Sequence, residues 1–193
     1  MQLIVFSGLP GTGKSALSEE TARKIGAPAF AKDWLEASIV RSGMTESAEA
    51  RQQLGWAGYE LLTTLAERQL RLGQSVILDS VASTESIRSA WRSLSVAYGA
   101  EWRVIECVCS DENVHRARLA LRKRNIPAWP ELTWSEVERV KAYFTPWRDE
   151  RLTVDAMLPM HQNLMSVLSY LHVLDSFRPT DAVVAEHFAR LAA

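Results

Sequence analysis

The segment Gly8-Leu9-Pro10-Gly11-Thr12-Gly13-Lys14-Ser15 follows directly on the apolar run Leu3-Ile4-Val5-Phe6, and no other stretch of the chain narrows its fold so far. Three glycines and a proline in eight positions are costly in backbone entropy and add little to a core. Such a loop is retained where its N–H groups bind something. The spacing G-x-x-x-x-G-K-[ST], after a strand and before a helix, is that of a phosphate-binding loop. Gly8, Gly11 and Gly13 permit backbone angles that turn successive N–H groups inward, and Thr12 completes the cradle. The following helix turns its N-terminus, with unpaired donors and partial positive charge, toward the anion. Lys14 reaches the β- and γ-phosphates, and the Ser15 hydroxyl ligates Mg²⁺.

Beyond the loop, strand and helix patterns alternate. Lys14 to Ile25 reads as a helix stopped by Gly26, and Pro28 to Lys32 as a second strand ending at Asp33. Trp34 to Val40 suits one or two helical turns. A long helix runs from about Glu46 to Leu72, with Leu54, Leu61, Leu65 and Leu72 as its apolar stripe and Gly73 as its stop. Ser75 to Leu78 is a third strand ending at Asp79, Thr84 to Ala97 a helix, and Trp102 to Val108 a fourth strand. A capped helix spans Asp111 to Arg124 and is broken by Asn125-Ile126-Pro127-Ala128-Trp129-Pro130. Thr133-Trp134-Ser135-Glu136 is a capping box opening another helix to Tyr143; Leu152 to Asp155 is a fifth strand and His161 to Leu171 a helix. Thr180 to Leu191 reads as a terminal helix. Alternation of this kind implies right-handed crossovers and a parallel sheet covered on both faces, an α/β sandwich.

In such a sheet ligands lie beyond the carboxyl ends of the strands, where Asp33 and Asp79 both fall. Asp79, closing Val76-Ile77-Leu78, suits a metal or its water shell. Asp33 suits a carboxylate that orients an acceptor hydroxyl and takes its proton; the plainer reading is that it caps the next helix. Residues 115 to 125, HRARLALRKRN, are dense in basic groups. Arg118 and Arg122, four apart, share one helical face and can hold phosphates and neutralise transition-state charge, with Arg124 joining from the lid that follows. Arg116 and Lys123 read as a solvated basic face near a helix C-terminus.

Bulk properties exclude several classes. The 193 residues suit one domain, and 22 basic against 23 acidic residues create no global field for long nucleic acid or a membrane surface. No apolar run approaches the ~18 residues of a membrane span. Met1 to Phe6 lacks a basic n-region and reads as a strand rather than a signal peptide. Cys107 and Cys109, two apart on one strand, read as free thiols of a reducing compartment, so the expected location is cytoplasmic. The four histidines are too scattered for a metal cluster.

The loop Gly8 to Ser15, Asp33, Asp79 and the RLALR pattern from Arg118 to Arg122 together resemble the small P-loop kinases of the AAA-domain group, similar to polynucleotide kinase, chloramphenicol phosphotransferase, zeta-toxin and gluconate-kinase-like enzymes. The resemblance spans most of residues 1 to 172. It implies a three-layer αβα P-loop NTPase sandwich with a five-stranded parallel sheet and a helical lid. It also implies ATP with Mg²⁺, and transfer of the γ-phosphoryl to a hydroxyl of a small molecule with Asp33 as base and Arg118 and Arg122 on the lid side. The implied organisation is a kinase domain over 1–175, with its lid at about 122–146, and a C-terminal tail over 176–193. Residues 153 to 171 are similar to the final strand and helix of such enzymes, near the adenine. Many relatives follow the second-strand aspartate closely with an arginine; this chain has Asp33-Trp34-Leu35-Glu36, and Arg41 comes too late to replace it. Trp34, Trp56, Trp129 and Trp134 fall in the segments of the acceptor pocket and lid, as wall or as packing. A nucleotide or polynucleotide 5′-kinase and a nucleotide-binding switch or ATPase are the alternatives. Asp33 discriminates between a kinase and a switch.

Overall fold

A computed structural model describes residues 1–45 and 47–173. Strands β1 (Gln2–Ser7), β2 (Ala29–Ala31), β3 (Val76–Asp79), β4 (Glu101–Val108) and β5 (Leu152–Asp155) form one sheet in the order β2-β3-β1-β4-β5, every pairing parallel. Helices α1 (Lys14–Ile25), α2 (Lys32–Arg41), α3 (Ala48–Arg71), α4 (Glu85–Ala97), α5 (Glu112–Leu121), α6 (Trp134–Tyr143) and α7 (Met160–Tyr170) connect and flank the strands. The fold is a P-loop αβα sandwich.

Strand β1 lies at the centre, and its side chains alternate between two cores, as a strand's period of two requires. Leu3 and Val5 face Leu62, Ala66 and Leu70 of α3 and Trp91 of α4. Ile4 and Phe6 face Leu17 of α1 and Val167 of α7, with Leu171 just beyond. Leu3 to Phe6 are fully buried, which is why this strand reads as a continuous apolar run.

The stripe of α3 runs one residue away from its sequence reading: Leu62, Ala66 and Leu70 are buried, whereas Leu61 and Leu72 are exposed. Leucine spacing alone missed it because alanine serves as the middle contact. Ser47 caps α3 by accepting from the Ala50 N–H at 3.1 Å. Glu46, the expected start, lies outside the described residues, as do the terminal helix expected over 180–191 and the tail 176–193.

The sheet register assembles the functional end. Phe6 pairs with Asp79, and Asp79 with Ala31, so β1, β2 and β3 finish side by side. A buried guanidinium fixes the segment after α6 to this end. Arg88 Nε donates to Ala82 O at 2.7 Å and Nη1 to Pro146 O at 3.1 Å, while the guanidinium lies 3.9 Å from the centre of the Trp147 ring. Trp147 Nε1 in turn donates to Ser7 Oγ (3.0 Å), and that hydroxyl to Val81 O (2.7 Å).

Candidate active site

The loop between β1 and α1 has the geometry of an anion cradle. Gly11 and Gly13 take φ of 90° and 84°, angles that side chains resist. Gly13 is the N-cap of α1 and no side chain caps that helix, so its first N–H groups keep no side-chain partner. The loop is braced from α5: buried His115 donates from Nε2 to Pro10 O at 2.8 Å, and a methyl group on Gly11 would come within 2.9 Å of that ring nitrogen. Sequence reasoning gave His115 no such role, because nothing local ties residue 115 to residue 10.

Lys14, Ser15, Asp33, Asp79, Arg118 and Arg122 all line one cleft of about 460 Å³, with Gly11 and Gly13 at its floor and Trp34 and Arg124 on its walls. Gly8 and Thr12 line the neighbouring space between the loop and β4. Two positions differ from the sequence reading. Asp33 does not end β2: that edge strand stops at Ala31, and Asp33 occupies the first turn of α2. The three-residue strand pairs only with β3, and the Lys32–Glu36 ion pair one turn apart favours the helix. Arg122 does not share a helical face with Arg118, since α5 ends at Leu121 and Arg122 is extended (φ −70°, ψ 136°). Pro127 and the left-handed Asn125 and Ala128 commit the following segment to irregular backbone. Both arginines nevertheless reach the cleft, one from α5 and one from the irregular segment that follows it.

Asp79 is the most deeply placed charge of the site. Burial pushes its carboxyl above the usual range, with the Lys14 ammonium and the Ser15 hydroxyl pulling it back. Its Oδ1 is buried without a hydrogen-bond partner. A buried carboxylate oxygen left open beside a serine hydroxyl is a donor set that a hard divalent cation fits. Arg122 is its cationic counterpart: burial, and then the neighbouring Arg124, lower its pKa, and its Nε and Nη2 are buried and unpartnered. Such donors suit phosphate oxygens.

Asp33 already has a partner. Arg124 Nη1 donates to Asp33 Oδ2, while its Nε meets Glu131 Oε2 at 3.3 Å and Nη2 donates to Pro130 O. Behind Asp33, Glu36 is buried against Lys32, and burial raises its pKa despite that ammonium. Gly58 lets α3 come this close, for an added methyl would stand 2.8 Å from Glu36 Cγ.

Arg118 bridges to a second cleft of about 390 Å³, lined by Leu17, Val154, Met157, Leu158 and Met160, where its Nη1 donates to Ala156 O at 2.6 Å. Of the tryptophans, Trp34 stands half-exposed on the wall of the phosphate cleft and Trp56 projects from α3 at 67 % exposure. Trp134 packs edge-on to His115 with ring centres 5.1 Å apart, and the N–H groups of both Trp129 and Trp134 are buried without partners. Among the described residues there is no histidine, cysteine and carboxylate cluster for a metal, and no helix long and apolar enough to cross a membrane.

With this geometry in view, comparison with known proteins is decisive about ancestry. The model of a family described as AAA domain matches residues 3–147. The chain belongs to that AAA-domain family. Among curated proteins none matches it. Solved structures of similar fold include a gluconokinase from Sinorhizobium meliloti 1021, 19% identical, TM-score 0.65, covering 90% of this chain and 93% of that one. A protein described as a kinase, from Chloroflexus aurantiacus j-10-fl, is 24% identical with a TM-score of 0.67 over 88% of this chain and 97% of that one. The APS kinase of Mycobacterium tuberculosis, in complex with AMPPNP and APS, is 17% identical with a TM-score of 0.51 over 89% and 98%. At such identities the likeness shows the fold, that of P-loop kinases.

Proposed function

We propose that this AAA-domain protein is an ATP-dependent phosphotransferase that moves the γ-phosphoryl group of Mg-ATP to a hydroxyl of a small molecule. The observation that carries this reading is the cleft in which Lys14, Ser15, Asp79, Arg118 and Arg122 meet Asp33. The first five suit a donor triphosphate; Asp33 adds a carboxylate that suits the activation of an acceptor hydroxyl. The kinases that share the fold, one of them holding AMPPNP, support the same reading.

In this reading the triphosphate lies on the N–H groups of residues 11–15. Lys14 bonds the β- and γ-phosphates, and Arg122 supplies its two open donors to oxygens that gain charge as transfer proceeds. Asp79 and Ser15 would hold Mg²⁺, whose chemistry is to neutralise phosphate charge and fix the phosphates for in-line attack. Asp33 orients the acceptor hydroxyl; the hydroxyl oxygen bonds to the γ-phosphorus, the bond to the bridging oxygen breaks, and the proton passes to Asp33. Residues 122–146 act as the lid of a domain spanning 1–175, with 176–193 as its tail, and free Cys107 and Cys109 suit a cytoplasmic setting.

The test is a panel of sugars, sugar acids, nucleosides and antibiotics with Mg-ATP, following ADP release and the mass gain of one phosphoryl group. Asp33→Asn is expected to lower transfer by about 10²-fold or more while sparing ATP binding. Unchanged transfer removes Asp33 as base. ATP binding undisturbed in Lys14→Ala removes the loop assignment.

A further inference from the structure

We infer that Arg124 is a latch on Asp33: while the acceptor is absent it occupies the carboxylate that would activate a nucleophile, and so denies bound ATP to water. The inference rests on the reading of Asp33 as the base.

Several arginine–carboxylate pairs among the described residues lie in solvent, such as Arg23 with Glu19 and Glu20, where Arg23 is 61% exposed. Pairs of that kind contribute little. Arg124 differs, for its side chain is 10% exposed and every arm is assigned. Glu131 binds it twice, accepting from the backbone N–H at 2.7 Å and from Nε, and Pro130 O takes Nη2. Those acceptors belong to the lid itself. They hold the guanidinium from behind and leave Nη1 aimed across the cleft at Asp33. The contact spans 91 residues of sequence and joins the lid to α2.

Arg122 shows what an arginine waiting for phosphate looks like in the same cleft. Its Nε and Nη2 are buried without partners, whereas each of the three nitrogens of the Arg124 guanidinium already donates to an acceptor. Two arginines separated by one residue therefore have different tasks. Arg122 is open toward the donor, and Arg124 is committed to the acceptor side. An acceptor hydroxyl that takes the place of Nη1 on Asp33 Oδ2 retains the Arg124 charge nearby, because Glu131 and Pro130 O still hold the guanidinium.

Water could otherwise take the acceptor's place: its oxygen would attack the γ-phosphorus, the bond to the bridging oxygen would break with its electron pair on ADP, and its proton would pass to Asp33. With Oδ2 engaged by Arg124 that proton has a poorer destination, and the space for the attacking oxygen is reduced. Arg124 is in this sense a positioning residue that sets specificity for acceptor over solvent.

The experiment measures ADP release from Mg-ATP with no acceptor added, in the full chain and in Arg124→Gln, Arg124→Lys and the double variant Asp33→Asn/Arg124→Gln. Arg124→Gln is expected to raise hydrolysis about tenfold, a gain within the range of general base catalysis, and Arg124→Lys, which keeps a cation but cannot copy the hold by Glu131 and Pro130 O, to raise it less. A merely structural role would lower the rate, not raise it. Hydrolysis unchanged or lower in a folded, ATP-binding Arg124→Gln protein overturns the latch and leaves the Asp33 assignment to its own test in the acceptor panel. Should that variant not fold, Glu131→Gln, which loosens the rear hold on Arg124, is expected to raise hydrolysis about threefold; no rise overturns the latch. In the double variant the gain is expected to vanish. A gain that survives there overturns both the latch and Asp33 as the base.

Discussion

Gly8 Cα faces the carbonyl oxygen of Cys107 so closely that a methyl group added to it would stand 2.1 Å from that oxygen. The contact joins the start of the phosphate loop to the end of β4, and its φ of 139° is one that side chains rarely adopt. The Cys107 oxygen cannot yield cheaply, since it belongs to backbone held in β4, and Gly8 follows directly on β1. Gly8→Ala should therefore displace the loop. We expect a loss of about 1–3 kcal/mol from backbone strain alone, and a nucleotide affinity at least about tenfold weaker. Thermal unfolding and titration with a fluorescent ATP analogue check the two effects; wild-type values in both would remove Gly8 as a close-approach position.

Asp79 predicts a trade between stability and function. Its pKa is raised in the fold, chiefly by burial, so the folded state favours the protonated form. Stability is then fullest below the unfolded carboxyl pKa and falls as pH rises above it, until the folded group also ionises. At neutral pH the carboxylate is a cost to the ligand-free protein. Asp79→Asn should raise the melting temperature of that protein by about 2–4 °C at pH 7.5, the shift for about 1 kcal/mol in a domain of this size, and the difference should shrink toward pH 4. The same variant should lose the Mg²⁺-dependent part of ATP binding. A melting temperature lowered at pH 7.5 contradicts the first claim, and Mg²⁺ dependence retained contradicts the second.

Arg88 predicts that charge alone is insufficient at a buried position. Its fork donates to Ala82 O and Pro146 O while its plane stacks on Trp147. A lysine ammonium cannot copy two divergent donors or the stacking. Arg88→Lys should leave at least one buried carbonyl without a donor and cost about 2–3 kcal/mol, roughly 5–10 °C in melting temperature. Calorimetry decides it; a loss below about 2 °C means the guanidinium geometry contributes little.

What was legible beforehand follows from how local each signal was. The phosphate loop, the five strands and the alternation of layers are written in contiguous residues, and the structure has them. The stripe of α3 was misplaced by one residue because Ala66 carries part of it. Asp33 and Arg122 line one cleft in a local geometry other than the one their sequence suggests, since a strand end and a helix end each depend on neighbours elsewhere: β3 alone supports β2, and α5 stops at Leu121. His115 on Pro10 and Arg124 on Asp33 join residues 105 and 91 positions apart. No spacing rule reaches that far. Glu36 is intelligible only with Lys32 and Gly58 beside it.

The turn after β5 predicts which purine the protein prefers. Its N–H groups are spent internally: Ala156 donates to Val108 O at 2.8 Å, Met157 to Asp155 Oδ1 at 3.0 Å and Leu158 to Asp155 O at 3.0 Å. Beside them lies the apolar cleft that Arg118 links to the phosphate cleft. A base entering there meets no free amide donors from residues 156–158. The exocyclic amine of adenine can donate to the remaining lone pair of the Ala156 carbonyl, whose first partner is Arg118, whereas the O6 of guanine finds no donor on this turn. A buried polar group left unpaired costs about 1–3 kcal/mol, so ATP should displace a fluorescent adenine nucleotide at least about tenfold more effectively than GTP. Equal competition by the two would mean that this turn does not read the base. In that case Asp155→Ala, which frees the Met157 N–H, should leave the ratio unchanged; if the turn does read the base, it should narrow the gap by offering guanine a donor.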